Sequence, residues 1–479
     1  MNNTSEGTIN HRSKISIVQK AAFGAGHLVN NLLPGALGVF SFFLLTAFGI
    51  DPAMAGLLAA IPRFFDALSD PIMGFISDNT NSRWGRRRPY IFTGAILCGI
   101  LFAVQWQMNV ENGASYNFWY FLIFSILFIF ANTIYSTPLI GLGYEMTSDY
   151  KERTRLMGFS QVIGQIAWMI VPWFWVLIAN ENIYATQAEG VRELSMIVGI
   201  SCAILGLLPA FFCLGIDSSQ IENRAEISFK TISENVGKLL RDMKNMTKNT
   251  PFMRLCGATF LVFNGFQMVA SFSFFIIVFY MFKGSYADAG TLPAWFATIS
   301  AVATAFLIIP VVTFLANKFG KKKAFVISTA LSVVGYLLKW WGFNPEHPMM
   351  VFIPVPFMAF GLGGLFTLMM SMTADVCDLD ELKNGMPRRE GTFGAVYWWM
   401  IKLGQALALA LGGLVLKVVG FEPNEAVQTA STMHYLRLAD IVIPSFTSLL
   451  AIWIMWNYDL SEEKAKEIKA ILVERRGEL

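Results

Sequence analysis

Apolar residues in this chain run in long stretches instead of alternating with polar ones at the spacing of a surface helix. A bilayer core of about 30 Å takes about 20 apolar residues in a helix. Stretches of that length fall at 17–47, 53–77, 88–108, 116–144, 155–180 and 193–215, and again at 252–283, 290–317, 322–343, 349–375, 390–420 and 431–457. They predict an all-α membrane protein of twelve transmembrane helices. The first, fourth, seventh and eleventh are long enough to tilt or to extend past the membrane. A charged, helix-compatible stretch at the midpoint divides the chain. The expected organisation is an N-terminal six-helix bundle (1–216), a cytoplasmic linker (217–250), a C-terminal six-helix bundle (251–457) and a charged cytoplasmic tail (458–479).

The loops alternate in charge. NSRWGRRRP after the second stretch holds Arg83, Arg86, Arg87 and Arg88; DYKERTR after the fourth holds Lys151, Arg153 and Arg155. NKFGKKK follows the eighth and KNGMPRRE the tenth, whereas MNVENGASYN after the third and FNPEHP after the ninth lack Lys and Arg. The positive-inside rule then places both termini in the cytoplasm. WGRRRPY and FGKKKAF occupy equivalent places in the two halves, a weak internal symmetry of the kind duplicated transporters carry. The N-terminal MNNTSEGTINHRSK has no apolar signal region and reads as a retained cytoplasmic tail.

Composition sharpens this picture only slightly. Of 479 residues, 55% are hydrophobic and 14% charged, against about 25% charged in a soluble domain. The net charge of +3 includes no basic tract suited to nucleic acid. The five cysteines are isolated, without the spacing of a metal site or disulfide framework. No GxxxxGK[ST] loop and no HExxH occurs, so ATP-driven pumping and metalloprotease chemistry are not expected. An ion gradient or passive movement is left as the source of work.

Ionisable groups within apolar stretches are the informative residues, because each costs several kcal/mol in lipid unless it faces a cavity or a partner. In PRFFDALSDPIMG, Arg63, Asp66 and Asp70 fall on one helical face. Two carboxylates one turn apart require compensation. A bound Na⁺, a shared proton, or a structural ion pair of Arg63 with one acid would each supply it. Lys402, in VYWWMIKLGQALALALGG, requires an acid, a cavity or an anionic ligand, and Trp398 beside it is either a packing residue or an aromatic face for a sugar ring. His27, Asn30 and Asn31 in the first helix either line a cavity or tie helices together, and Gln161 and Gln165 offer amides one turn apart. Thr133, Ser136 and Glu145 lie along the fourth helix. Glu145, near DYKERTR, reads first as a structural salt bridge and then, with Arg87, Arg153 and Asp375, as part of a cytoplasmic gate; Asp375 reads as a gate or loop contact.

PRFFDALSDPIMG followed by SRWGRRRPY resembles the second helix and following loop of the glycoside–pentoside–hexuronide:cation symporters, a family of the major facilitator superfamily. TPLIGLGYEMTSDYKERTRL resembles that family's fourth-to-fifth connection, and MTADVCDLDELKNGMPRREGTFGAVYWWMIKLGQ its tenth-to-eleventh. The resemblance implies two six-helix bundles around a central alternating-access cavity. It also implies uptake of a sugar coupled to H⁺, Na⁺ or Li⁺, with no resident cofactor. By position it assigns Asp66, Asp70, Ser69 and Thr133 to the cation and places Arg63 and Lys402 beside it. Departures stand at Asn31 and Ser136, where a galactoside carrier of the family has acids, and at Ser69, Ile140 and Gln161.

The loss of those two acids, with Lys402, Arg63 and His27 kept, predicts a more positive cavity and an anionic substrate such as a uronide or sulfosugar. A neutral glycoside or oligosaccharide is the alternative, and a lysolipid transporter of the same fold is another. The expected partners are the sugar, the coupling cation and membrane lipid, acting on a monomer. A membrane-embedded enzyme would need a nucleophile or acid–base pair near a membrane face, for which only Asp66 and Asp70 could be mistaken.

Overall fold

The computed structural model describes residues 15–147, 150–214, 226–384, 390–423 and 425–476. Residues 217–225 of the expected linker, 385–389 of the last basic loop and the side chain of Arg153 lie outside the described residues. Six long helices come first: α1 (Ile17–Thr46), α2 (Pro52–Asn79), α3 (Arg88–Gln105), α4 (Ala114–Glu145), α5 (Tyr150–Ile178) and α6 (Gln187–Phe212). An amphipathic helix, α7 (Phe229–Met246), separates them from six more. These are α8 (Thr250–Met281), α9 (Tyr286–Phe319), α10 (Lys321–Gly342), α11 (Val355–Asn384), α12 (Glu390–Val418) and α13 (Ala430–Trp456). A charged helix, α14 (Glu462–Arg476), packs back on α11.

Eleven of these helices are long and apolar enough to cross a membrane. The exception is α2, whose 28 residues span roughly 42 Å at 1.5 Å per residue. Its interior charges, Arg63, Asp66 and Asp70, lower its hydropathy. Local sequence fixes the helix starts. Ser16 and Gln19 form a capping box at α1, and Asp51 caps α2 through the amides of Ala53 and Met54, with Pro52 in the first turn. The tenth expected span runs past residue 375 to Asn384, because SMTADVCDLDELKN keeps a helical backbone after its hydropathy falls. Two helices are widened by π-turns, at Ile276–Met281 in α8 and Thr304–Ile308 in α9, and α9 also bends sharply at Gly290, whose φ is +49°.

Packing repeats between the halves. In the first, α1 packs on α5 and α6, and α3 on α4 and α6; in the second, α8 packs on α12 and α13, and α10 on α11 and α13. The halves meet along α2 with α12 and along α5 with α9, which are equivalent pairs under the same repeat. These contacts cluster toward the end carrying the loops poor in Lys and Arg. Trp173 meets Trp295 with ring centres 5.2 Å apart, Phe42 meets Phe275 at 4.7 Å, and Trp175 stacks on Tyr286 at 5.8 Å.

The α2–α12 seam keeps one antiparallel register. Asp51 pairs with Lys417 at 3.0 Å. Further in, Gly56 lies so close to α12 that a methyl there would come within 2.8 Å of the Leu409 carbonyl and 3.0 Å of the Gly413 Cα. Further still, Asp66 meets Lys402. Fifteen residues separate the two acids and fifteen separate the two lysines.

Candidate cation and substrate site

The site lies midway along that seam. Pro62 and Pro71 flank the acids within α2; a proline cannot donate to the carbonyl one turn back, so the helix is locally loosened there. The Lys402 ammonium sits 3.0 Å from Asp66 Oδ2 and bonds Asp70 Oδ2 more closely still. The other oxygen of each carboxylate accepts from a threonine of α4: Asp66 Oδ1 from Thr133 at 3.5 Å, and Asp70 Oδ1 from Thr137 at 3.3 Å. Ser69 Oγ lies 2.8 Å from Thr133 Oγ1 and donates to the Asp66 carbonyl at 3.3 Å. The Arg63 guanidinium stands 3.9 Å from Asp66 Oδ2. Asp66 is the inner acid, its side chain 6% exposed, and Asp70 the outer one, at 33%.

Two carboxylates, three hydroxyls and one ammonium therefore share one small volume. The oxygens are hard ligands of the kind alkali cations take, and carboxylates equally accept protons. The ammonium of Lys402 is a tethered positive charge on these carboxylates. With Arg63, it balances both acids. The second compensating charge comes from the other half of the molecule.

A family model described as MFS/sugar transport protein matches residues 22–462. The chain belongs to this family, the glycoside–pentoside–hexuronide:cation symporters. It is 25% identical to the glucuronide carrier protein homolog of Escherichia coli, over 93% of each chain. It is 23% identical to the isoprimeverose transporter of Lactiplantibacillus pentosus, over 92% of this chain and 88% of the other. It is also 22% identical to the sodium-dependent lysophosphatidylcholine symporter 1 of Xenopus tropicalis, over 96% and 90%. Among solved structures, a bacterial homologue of the lysosomal transporter Spinster shares the fold, with a TM-score of 0.67 at 15% identity, over 93% of this chain and 97% of the other. The protein is a multi-pass membrane transporter of the major facilitator fold and not an enzyme.

Within this symporter-family fold, the other expected site residues separate. Asn31 donates to the Gly164 carbonyl at 3.0 Å, tying α1 to α5. His27 lies edge-on to Phe23, ring centres 4.7 Å apart, with its Nε2 buried and unpartnered among the described residues. Asn30 and Ser136 are half-buried, while Gln161 and Gln165 present exposed side chains along α5. Trp398 is 45% exposed and stacks on Phe366 at 6.2 Å. None of these side chains is joined to the acid–lysine cluster by a hydrogen bond or ion pair given above.

Of the expected gate residues, Arg87, Glu145 and Asp375 are engaged inside their own halves. Arg87 bonds Asp78 at 2.6 Å and lies 3.3 Å from Glu145, which also pairs with Arg86. Lys321 pairs with Asp375 at 2.6 Å within the second half. These ion pairs link neighbouring helices of the same bundle. Two of the contacts that bridge the halves, Asp51–Lys417 and the Gly56 approach, were not anticipated. Their loops look neutral, and a glycine in an apolar run carries no charge signal.

Two further features escaped the sequence reading although its own rules apply to them. Thr137 follows Thr133 at the spacing by which Asp70 follows Asp66. Lys339 and Asp440 sit in apolar stretches, and they form an ion pair with side chains only 1% and 2% exposed. Lys339 also donates to Ser273 Oγ at 3.1 Å, so the network joins α8, α10 and α13. Beside it, Arg437 covers the rings of Tyr280 and Trp340, at 4.1 and 4.4 Å from their centres.

Proposed function

We propose that this carrier couples import of a glycoside to a cation, H⁺ or Na⁺, by alternating access in a cell's inner membrane with both termini in the cytoplasm. The reading rests on one observation: Lys402, from the second half, is held between Asp66 and Asp70 of the first. A cation that binds the acids displaces this tethered ammonium and cuts a bond between the halves. Coupling then has a physical basis, since the cation and Lys402 compete for the same oxygens and a ligand shifts an equilibrium only through differential affinity.

The charge balance also bears on the substrate. With the cation absent, Arg63 and Lys402 are matched by the two acids, so the cavity is not positive as Lys402, Arg63 and His27 had suggested. With one cation bound, the same four groups carry an excess positive charge, and Lys402 is free to meet a substrate carboxylate or sulfonate. A uronide or sulfosugar is therefore the favoured class. That one relative is named a glucuronide carrier homolog supports this reading, while the isoprimeverose transporter keeps a neutral glycoside as the alternative.

Uptake into sealed proteoliposomes tests the proposal, with a uronide, a sulfosugar, a neutral glycoside and a lysolipid each offered under an imposed Na⁺ or pH gradient. Accumulation of an acidic sugar under one gradient is expected. Equal displacement by neutral sugars would refute the charge argument. Transport of the lysolipid alone would replace the sugar reading with that of the lysophosphatidylcholine symporter relative.

A further inference from the structure

The hydroxyls around the acids form two tiers. The inner tier is Asp66 with Thr133 and Ser69, nearly sealed from solvent. The outer tier is Asp70 with Thr137, at the exposed side of the cluster. Thr133 and Thr137 are one turn apart on α4, as Asp66 and Asp70 are on α2, so the two helices present matched rungs. In each rung the carboxylate keeps one oxygen on Lys402 and the other on a threonine. Thr137 therefore fixes the rotation of the carboxylate that an incoming cation meets first.

We infer that Thr137 is a further residue of the cation site: it positions Asp70 and, through its own oxygen, helps set how tightly the site takes its cation. This rests on the reading of the cluster as a coupling site. Three details carry it. The hydroxyl donates to Oδ1, the oxygen that Lys402 leaves free. When a cation takes the place of the ammonium on Oδ2, that hydroxyl still holds Oδ1 and with it the orientation of the carboxylate. A hydroxyl oxygen also distinguishes ions, since a metal cation uses it as a ligand whereas a proton on the carboxylate does not require it.

Thr137→Val keeps the shape and removes the hydroxyl, and Thr137→Ser restores it. Both are compared with the wild type in proteoliposomes, with Na⁺ and then pH varied at fixed substrate. With Na⁺ as coupling ion, Thr137→Val raises the Na⁺ concentration for half-maximal uptake about tenfold, the worth of one hydrogen bond to a charged group. It lowers the maximal rate less than that, and Thr137→Ser stays within about threefold of wild type. With H⁺ as coupling ion, the pH of half-maximal uptake moves upward, because the hydroxyl no longer favours the ionised carboxylate. Unchanged cation dependence in a folded Thr137→Val protein overturns the inference and leaves the symport reading standing. Equal damage by Thr137→Ser also overturns it, by showing that packing and not the hydroxyl matters. A wild type whose uptake ignores both ions overturns the symport reading, and this inference with it.

Discussion

Replacing Lys402 with methionine removes the tethered charge while keeping most of the side-chain volume. The four ionic groups of the site then sum to one negative charge instead of none. At the observed 3.0 Å from Asp66, a unit charge is worth roughly 5 kcal/mol at an effective dielectric of about 20, before desolvation. Removing one partner from a buried pair typically costs about 3–5 kcal/mol. The Lys402 side chain is 23% exposed, so water recovers part of this. A mobile cation recovers more, because it no longer has to displace an ammonium. Lys402→Met is therefore expected to bind its coupling cation at least about tenfold more tightly, which is ~1.4 kcal/mol, and to lose accumulation of an acidic sugar. Calorimetric titration of the purified protein with Na⁺, repeated at several pH values, reads the first effect; proteoliposome uptake reads the second. Lys402→Met combined with Asp70→Asn restores the charge sum and should bring cation affinity back toward wild type. Unchanged or weaker cation binding in the single variant would refute the competition between Lys402 and the ion.

Three other outcomes follow from the packing. Gly56→Ala sets a methyl against the Leu409 carbonyl and Gly413 backbone; overpacking of about 1–3 kcal/mol should part the helices there. Spin labels on α2 and α12 beside the Asp51–Lys417 pair would then report a longer distance, and an unaltered distance would show that the approach is not limiting. Lys339→Met alone should lower thermal stability in detergent by about 3 kcal/mol through a stranded Asp440, whereas Lys339→Met with Asp440→Leu should recover most of the loss. At the N-terminal end of α5, hydrogen bonds from Lys20 and the Ile15 amide hold the Glu152 carboxyl below its ordinary range. A depressed carboxyl stabilises above its unfolded value and stops doing so as pH falls through its folded value. Amide exchange of residues 15–20 should therefore quicken on acidification below the usual carboxylate range, and Glu152→Gln should remove that dependence.

Helix positions were legible because lipid imposes a length, and an apolar run either reaches it or does not. The end of α11 was not, since Asp378 and Asp380 reduce hydropathy without breaking a helix. Asp66, Asp70 and Lys402 stood out as charges in apolar runs, yet their mutual contact did not, because no local spacing relates positions 70 and 402. Lys339 and Asp440 carried the same signal, and the same rule applied to them would have singled them out. Seams such as Gly56 against Gly413 remain invisible in one sequence, as an interface glycine and a filler glycine look alike.

The unbroken register of α2 and α12 makes the pair a lever. Its fulcrum is the closest approach, at Gly56. At 1.5 Å per residue, Asp51 lies about 7.5 Å to one side and Asp66 about 15 Å to the other. A tilt in the plane of the two axes that spreads the short arm by about 1 Å swings the long arm inward by about 2 Å. The Asp51–Lys417 bond is half-exposed and weak, so little force is required on the short side. Under such a tilt the proposed cation, if a metal ion, would act through its own diameter as a mechanical stop on the long arm.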